Sequence, residues 1–268
     1  MAISALSVFK GRPFASSFNS PLRRKRTHNF PVRFALKNNF SAATPSIAMS
    51  DDNSRRKLPI LLFDVMDTIV RDPFYHDVPA FFRMSFKELI ESKHPTVWCE
   101  FERGLIDESE LARKFFKDER YCDMEGLKSC MKRGYSYIEG VEELLHSLKN
   151  AGYEMHAFTN YPNWYLMIED KLKLSTYLSW TFCSCIFGKR KPEADFYLEV
   201  IDHLKVHPSS CIFIDDRMRN VEAAIEAGIT GILFKNAELL RKDLLIHGID
   251  ISEIEDTKTQ DVAAEPLE

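Results

Sequence analysis

The 268-residue sequence contains no uninterrupted apolar run of 18 residues, which excludes a membrane-spanning helix. Glycine (10) and proline (12) are too scarce for a collagenous or low-complexity chain. The six cysteines (Cys99, Cys122, Cys130, Cys183, Cys185 and Cys211) are scattered, with no C-x-x-C pair. That pattern fits neither a zinc site nor a secreted disulfide scaffold, and it points to free thiols in a reducing compartment. A further absence is local: residues 1–50 carry eight Lys/Arg and no Asp or Glu. The remaining 218 residues therefore have a net charge of −12, which argues against electrostatic binding of nucleic acid by the body of the chain. What is present is ordinary for a globular protein: 45% hydrophobic and 28% charged residues, in a length that suits one large domain or a core with an insertion.

The first 50 residues are rich in Arg and Ser, free of acids, and lack the 7–15-residue apolar stretch of a secretory signal. They read as an organelle transit peptide, and the serine content favours a plastid. The alternative is a basic arm that touches RNA through Arg23-Arg24-Lys25-Arg26. The mature chain is expected to begin near Asp51. At the other end, residues 252–268 hold six acids and one lysine and read as a disordered tail.

Between these ends, Leu58 to Phe63 is a short apolar run without helical period, as a buried strand requires. Helical patterns follow over Val78–Ser92, Glu108–Lys117 and Met124–Lys132, with no strand among them. Strands at Tyr153–Phe158, Thr181–Phe187, Cys211–Ile214 and Gly231–Phe234 then alternate with helices at Gly140–Ala151, Trp164–Leu174, Ala194–Leu204, Asn220–Ala227 and Ala237–His247. This alternation predicts an α/β fold, a Rossmann-like three-layer parallel sheet with helices on both faces. The long helical stretch after the first strand exceeds a normal connection and predicts an inserted helical cap.

In such sheets ligands bind beyond the carboxyl ends of the strands, so the residues there carry the functional signal. Asp64-Val65-Met66-Asp67-Thr68 follows the first strand and Thr159-Asn160 the second. Gly188-Lys189-Arg190-Lys191-Pro192 follows the third, and Asp215-Asp216 the fourth. Taken singly, each has a bland reading as a turn, a helix cap or a loop. Together they bring carboxylates, a hydroxyl and a lysine to one edge. Crowded carboxylates need a cation among them, and oxygen ligands without a His or Cys cluster favour Mg²⁺. A carboxylate beside Mg²⁺ can attack phosphorus, while Lys191 and Thr159 hold the phosphoryl oxygens.

The order and context of these segments resemble the four motifs of the haloacid dehalogenase superfamily, in its helical-cap phosphatase branch. Ile60 to Thr68 resembles the first motif and Thr159 the second. Ser184 with Gly188 to Pro192 resembles the third, and Ile212 to Arg217 followed by Asn220 to Gly228 the fourth. The resemblance implies a core over 58–71 and 138–250 with a cap over 72–137. It implies Asp64 as nucleophile and metal ligand, and Asp215 and Asp216 as further ligands. It also implies Asn160 in the phosphate pocket and a small-molecule phosphate ester as substrate. With the plastid-type leader it points to flavin mononucleotide (FMN), leaving a sugar phosphate or another riboflavin-pathway phosphate open.

One departure stands out. The resemblance calls for a second Asp, the general acid and base, two residues after the nucleophile, and Met66 occupies that position. Its backbone carbonyl can still bind metal, but its side chain cannot protonate a leaving group. Asp67 takes over that role only if the backbone turns there. The superfamily's dehalogenases share the missing Asp but lack the acidic pair, so Asp215-Asp216 favours phosphate. A catalytically weak protein that binds a phosphate ligand is the non-enzymatic alternative.

Overall fold

The computed structural model describes residues 58–249 and 251; the predicted leader (1–50) and acidic tail (252–268) lie outside the described residues. Five parallel strands, β1 (Ile60–Phe63), β2 (Met155–Thr159), β3 (Ser179–Cys183), β4 (Cys211–Asp215) and β5 (Thr230–Leu233), form one sheet in the order β3-β2-β1-β4-β5. The two-residue period of a strand sends alternate side chains to opposite faces. Leu61 and Phe63 accordingly enter one core with Met155, Ala157, Ile212 and Ile214, while Ile60 and Leu62 enter another with Phe158, Phe182 and Phe213. Burial on both faces explains why β1 reads as an unbroken apolar run. The predicted α/β architecture is borne out.

Six helices are inserted between β1 and the helix that precedes β2: α1 (Pro73–His76), α2 (Val78–Phe81), α3 (Phe86–Ser92), α4 (Val97–Glu102), α5 (Glu108–Lys114) and α6 (Met124–Gly134). The two chain segments leading into and out of this insertion pair with each other. Val70 and Tyr137 form an antiparallel bridge, Arg71 N–H donates to Ser136 O (2.9 Å) and Ile138 N–H to Ile69 O (2.9 Å). The insertion's apolar residues, among them Val78, Leu89, Val97, Leu111 and Leu127, join the core that also holds Leu61 and Phe63. The remaining helices are α7 (Val141–Asn150), α8 (Tyr165–Leu172), α9 (Ser184–Phe187), α10 (Ala194–Leu204), α11 (Met218–Glu226) and α12 (Ala237–Ile246). No helix of the described residues is long and apolar enough to cross a membrane.

Two predicted elements need correction. The single helix expected over Val78–Ser92 is broken. Arg83 adopts a left-handed conformation (φ +55°), and Ser85 with Glu88 forms a capping box that starts α3 afresh. The strand expected over Thr181–Phe187 ends at Cys183, and Ser184–Phe187 makes the one-turn helix α9. The apolar pattern of that stretch does not separate strand from helix. The decision is made by Ser184, whose hydroxyl donates to Glu102 O (2.5 Å), and by Gly188, which closes the turn at φ +68°.

Gly104 ends α4 at φ +68°, and a Cβ there would lie 2.7 Å from the carbonyl oxygen of Cys185 in α9. Only glycine permits both this backbone conformation and the close approach of the insertion to the sheet. Gly104→Ala is expected to destabilise the fold by about 1–3 kcal/mol, measured as a lower urea midpoint with an unchanged m value.

Candidate active site

The sheet order reverses at β1, which has β2 on one side and β4 on the other, and the crevice at such a switch point is where ligands bind in open α/β sheets. Register sets the geometry. Phe63 pairs with Ile214 and with Ala157, and Asp64 N–H donates to Ile214 O (2.8 Å). Asp64 therefore emerges beside Asp215.

Lys191 lies between them. Its Nζ donates to Asp64 Oδ1 (2.8 Å), Asp215 Oδ2 (2.7 Å) and Phe158 O (2.6 Å), and the side chain is 1% exposed. The ammonium also sits 5.2 and 4.9 Å from the ring centroids of Phe158 and Phe213. The loop that delivers it is fastened by Asn160, whose Oδ1 accepts from Lys191 N–H (2.7 Å) and whose Nδ2 donates to Lys191 O (2.8 Å). Asp215 is held in turn by Arg217 N–H (2.8 Å) and by Asn220 Nδ2, 3.0 Å from both carboxylate oxygens. Thr159, the last residue of β2, is fully buried, and its Oγ1 has no hydrogen-bond partner.

Asp64, Asp215 and Asp216 each bring a carboxylate oxygen within 4.8 Å of the others. Three carboxylates face the Lys191 ammonium and, 3.9 Å from Asp216 Oδ1, the Arg217 guanidinium, and the surplus negative charge has visible effects. Burial, reinforced by Asp215 and Asp216, pushes the Asp64 pKa up to about 7 despite Lys191. Burial and Asp215 raise Asp216 to about 6. Burial works against the charged form of Lys191, but Asp215 and Asp64 outweigh it and raise its pKa. The cluster thus has room for more positive charge, and Asp216 Oδ1 is buried without a hydrogen-bond partner. These hard oxygen donors and the charge deficit fit a divalent cation such as Mg²⁺.

A cavity of about 460 Å³ opens above this floor. Met66, Asn160 and Asn220 line its base beside Asp64 and Lys191, and the insertion supplies Asp72, Phe74, Tyr75, Phe86, Trp98 and Glu102. Of the aromatics in the 72–137 stretch, Phe101, Phe115 and Phe116 are core residues and Tyr121 is 86% exposed. Phe74, Tyr75 and Phe86 form a cluster with centroid separations of 5.5–6.2 Å on the cavity wall. Asp67 does turn, at φ +57°, but its carboxylate accepts from Asp72 N–H (2.9 Å), and the residue does not line the cavity.

Several site residues escape a reading of the sequence. Asn220 belongs to the fourth-motif segment, yet its role as the clamp on Asp215 needs the register of β4 and α11. Glu102 is buried in α4 and bound by Arg190 Nη2 (2.9 Å) and Trp98 Nε1 (2.7 Å), links across 88 residues and one helical turn. Asp72 caps α1, and its cavity position appears only in the fold.

The haloacid dehalogenase-like hydrolase model matches residues 59–228. The chain belongs to that hydrolase family. It is 67% identical over 203 residues to the chloroplast flavin mononucleotide hydrolase 1 of Arabidopsis thaliana, an alignment covering 75% of this chain and 83% of that protein. A predicted haloacid dehalogenase-like hydrolase from Porphyromonas gingivalis shares the fold at a TM-score of 0.59 and 19% identity, covering 72% of this chain and 98% of that one. A family enzyme from Bacteroides thetaiotaomicron, solved with magnesium and inorganic phosphate, superposes at 0.55 and 19% identity, covering 67% and 95%. Mg²⁺ is the usual metal of the family.

A carboxyl whose folded pKa lies above its unfolded value favours the folded state when protonated, and that contribution is lost as pH rises through the folded pKa. For Asp64 the window runs from 3.8 to about 7. In EDTA the melting temperature of the wild type is expected to fall relative to Asp64→Asn as pH rises across this window. A pH-independent difference between the two proteins would contradict the charge surplus.

Proposed function

We propose that this protein is a Mg²⁺-dependent phosphomonoesterase that hydrolyses FMN to riboflavin and phosphate in the chloroplast stroma. The observation that carries the chemistry is the buried junction of Asp64, Lys191 and Asp215 beside the unpartnered Thr159 hydroxyl. The 67% identity to a flavin mononucleotide hydrolase supports the substrate, and the aromatic wall of Phe74, Tyr75 and Phe86 suits a flat ring. The acid-free, Ser- and Arg-rich leader and the chloroplast location of that relative support the compartment.

In this reading Asp64 is the nucleophile, and Asp64, Asp215, Asp216 and the Met66 carbonyl hold the metal. When bound, Mg²⁺ neutralises phosphate charge so that an anionic nucleophile can approach. The Asp64 carboxylate attacks phosphorus and the ester bond breaks, leaving an aspartyl-phosphate that water hydrolyses. Lys191 and the Thr159 hydroxyl stabilise the charge that builds on the phosphoryl oxygens, and Asn160 keeps Lys191 in place. The segment 72–137 serves as a cap whose side chains select the alcohol, over a core of 58–71 and 138–250.

The test is phosphate release from FMN and a panel of sugar and nucleotide monophosphates, with Mg²⁺ and with EDTA. FMN is expected to rank first, and turnover to vanish in EDTA and in Asp64→Asn. Thr159→Val is expected to lower kcat about 10²–10³-fold, the loss typical of one oxyanion donor. A better sugar phosphate would overturn the substrate, and metal-independent turnover would overturn the mechanism.

A further inference from the structure

An ester oxygen leaving phosphorus as an alkoxide needs a proton, and the side chain of Met66 beside the nucleophile cannot give one. Other proton carriers also line the cavity: the Lys93 ammonium lies over the Phe74 ring (5.4 Å), and the Tyr75 hydroxyl accepts from Arg217 Nη2 (3.1 Å). Glu102 is tied to Arg190 and to the Trp98 indole, Lys191 donates to three acceptors, and the buried Tyr161 hydroxyl is paired with that of Tyr135 (2.8 Å). Asp67 Oδ1 accepts from the Asp72 N–H, and the residue lies outside the cavity lining. Asp72 is a carboxyl that makes no ion pair with a described residue. It lines the same cavity as Asp64, its Oδ1 accepts from Phe74 N–H (2.9 Å), and no donor among the described residues reaches its second oxygen.

Building on the phosphomonoesterase reading, we propose that Asp72 is the general acid and base of this site. As Asp64 bonds to phosphorus, the P–O ester bond breaks and its electron pair takes the Asp72 proton, releasing the alcohol. Asp72, now a carboxylate, then takes a proton from the water whose oxygen attacks the aspartyl-phosphate. The products are inorganic phosphate, free Asp64 and a reprotonated Asp72. The surroundings suit both forms. Burial raises the Asp72 pKa to about 7, Asp67 and Glu102 push the same way, and the Phe74 N–H and Arg217 oppose them. The Tyr135 and Tyr161 hydroxyls also face this carboxyl.

Asp72 also caps α1, so the test must separate capping from proton transfer. Asp72→Asn keeps a side-chain oxygen for the Phe74 N–H and, because it removes a carboxyl whose charged form is penalised by burial, is expected not to lower the melting temperature. In the full chain with Mg²⁺, its kcat on FMN is expected to fall about 10²–10⁴-fold. On 4-nitrophenyl phosphate, whose leaving group needs no proton, the same variant is expected to release a stoichiometric burst of nitrophenolate. Slow turnover follows, because water attack still lacks its base. Asp72→Glu restores part of the FMN activity. A variant that keeps the wild-type rate on FMN, or that slows equally on both substrates without a burst, overturns the role of Asp72 alone. A wild type that releases phosphate from neither substrate overturns the phosphatase reading, and this assignment with it.

Discussion

An ammonium group cannot be buried at the end of a parallel sheet unless several acceptors surround it, and Lys191 meets three of them at 2.6–2.8 Å. Two of those acceptors are carboxylates from neighbouring strands, and the third is the backbone of a strand on the other side of β1. The junction therefore measures the register of three strands at once. A slip of one residue in β1 or β4 would turn Asp64 or Asp215 to the opposite face and leave the lysine uncompensated. The Asn160 clamp and the Asn220 clamp make sense in this light. Each fixes one partner of the triangle from outside it, Asn160 the lysine and Asn220 the Asp215 carboxylate.

The same junction is deliberately short of positive charge. Burial, with Lys191 and the more distant Arg217 set against three carboxylates, raises the pKa of Asp64 and of Asp216, and a phosphate dianion would worsen the imbalance. On the proposed reading, Asp64, Asp215 and Asp216 would hold a divalent cation, which would supply the missing positive charge. The labour is divided by origin. The strand ends provide the charged floor, and the inserted helices provide aromatic walls and a buried Glu102–Arg190 pair that ties α4 to the loop carrying Lys191. Ser184 adds a second tie, from α9 to the last carbonyl of α4. The residues that would choose a substrate are thereby anchored to those that would transform it.

Much of this was legible in the sequence because it depends on local pattern. The apolar run of β1 and the polar residues at the strand ends are set by burial and by the α/β topology, and both leave marks within a few residues. What was not legible depends on contacts distant in sequence. Ser184–Phe187 could continue a strand, and the bond of the Ser184 hydroxyl to Glu102 O, 82 residues away, joins Gly188 at φ +68° in favouring a helical turn. The break between α2 and α3 turns on Arg83 in a conformation that favours glycine. Asp72 and Asn220 carry cap and helix signals that say nothing of the cavity they face.

The short connection between nucleophile and insertion is the last constraint. From Asp64 the chain makes a tight turn in which Ile69 and Val70 N–H both donate to Val65 O, and the Asp67 carboxylate catches the Asp72 N–H. The bridge between Val70 and Tyr137 then pins the outgoing chain to the returning one, and Arg71 reinforces this neck through Asp77 (2.6 Å) and Gly134 O (3.3 Å). The first helix of the insertion is thus fixed to the end of β1 by backbone bonds rather than by packing alone. Rearrangement of the more distant helices α3 to α5 can alter the cavity's walls while Asp72 keeps its place relative to Asp64. The walls supplied by α3 to α5, such as Phe86 and Trp98, can then vary within one fold, while Phe74 and Tyr75 of α1 stay fixed beside Asp72.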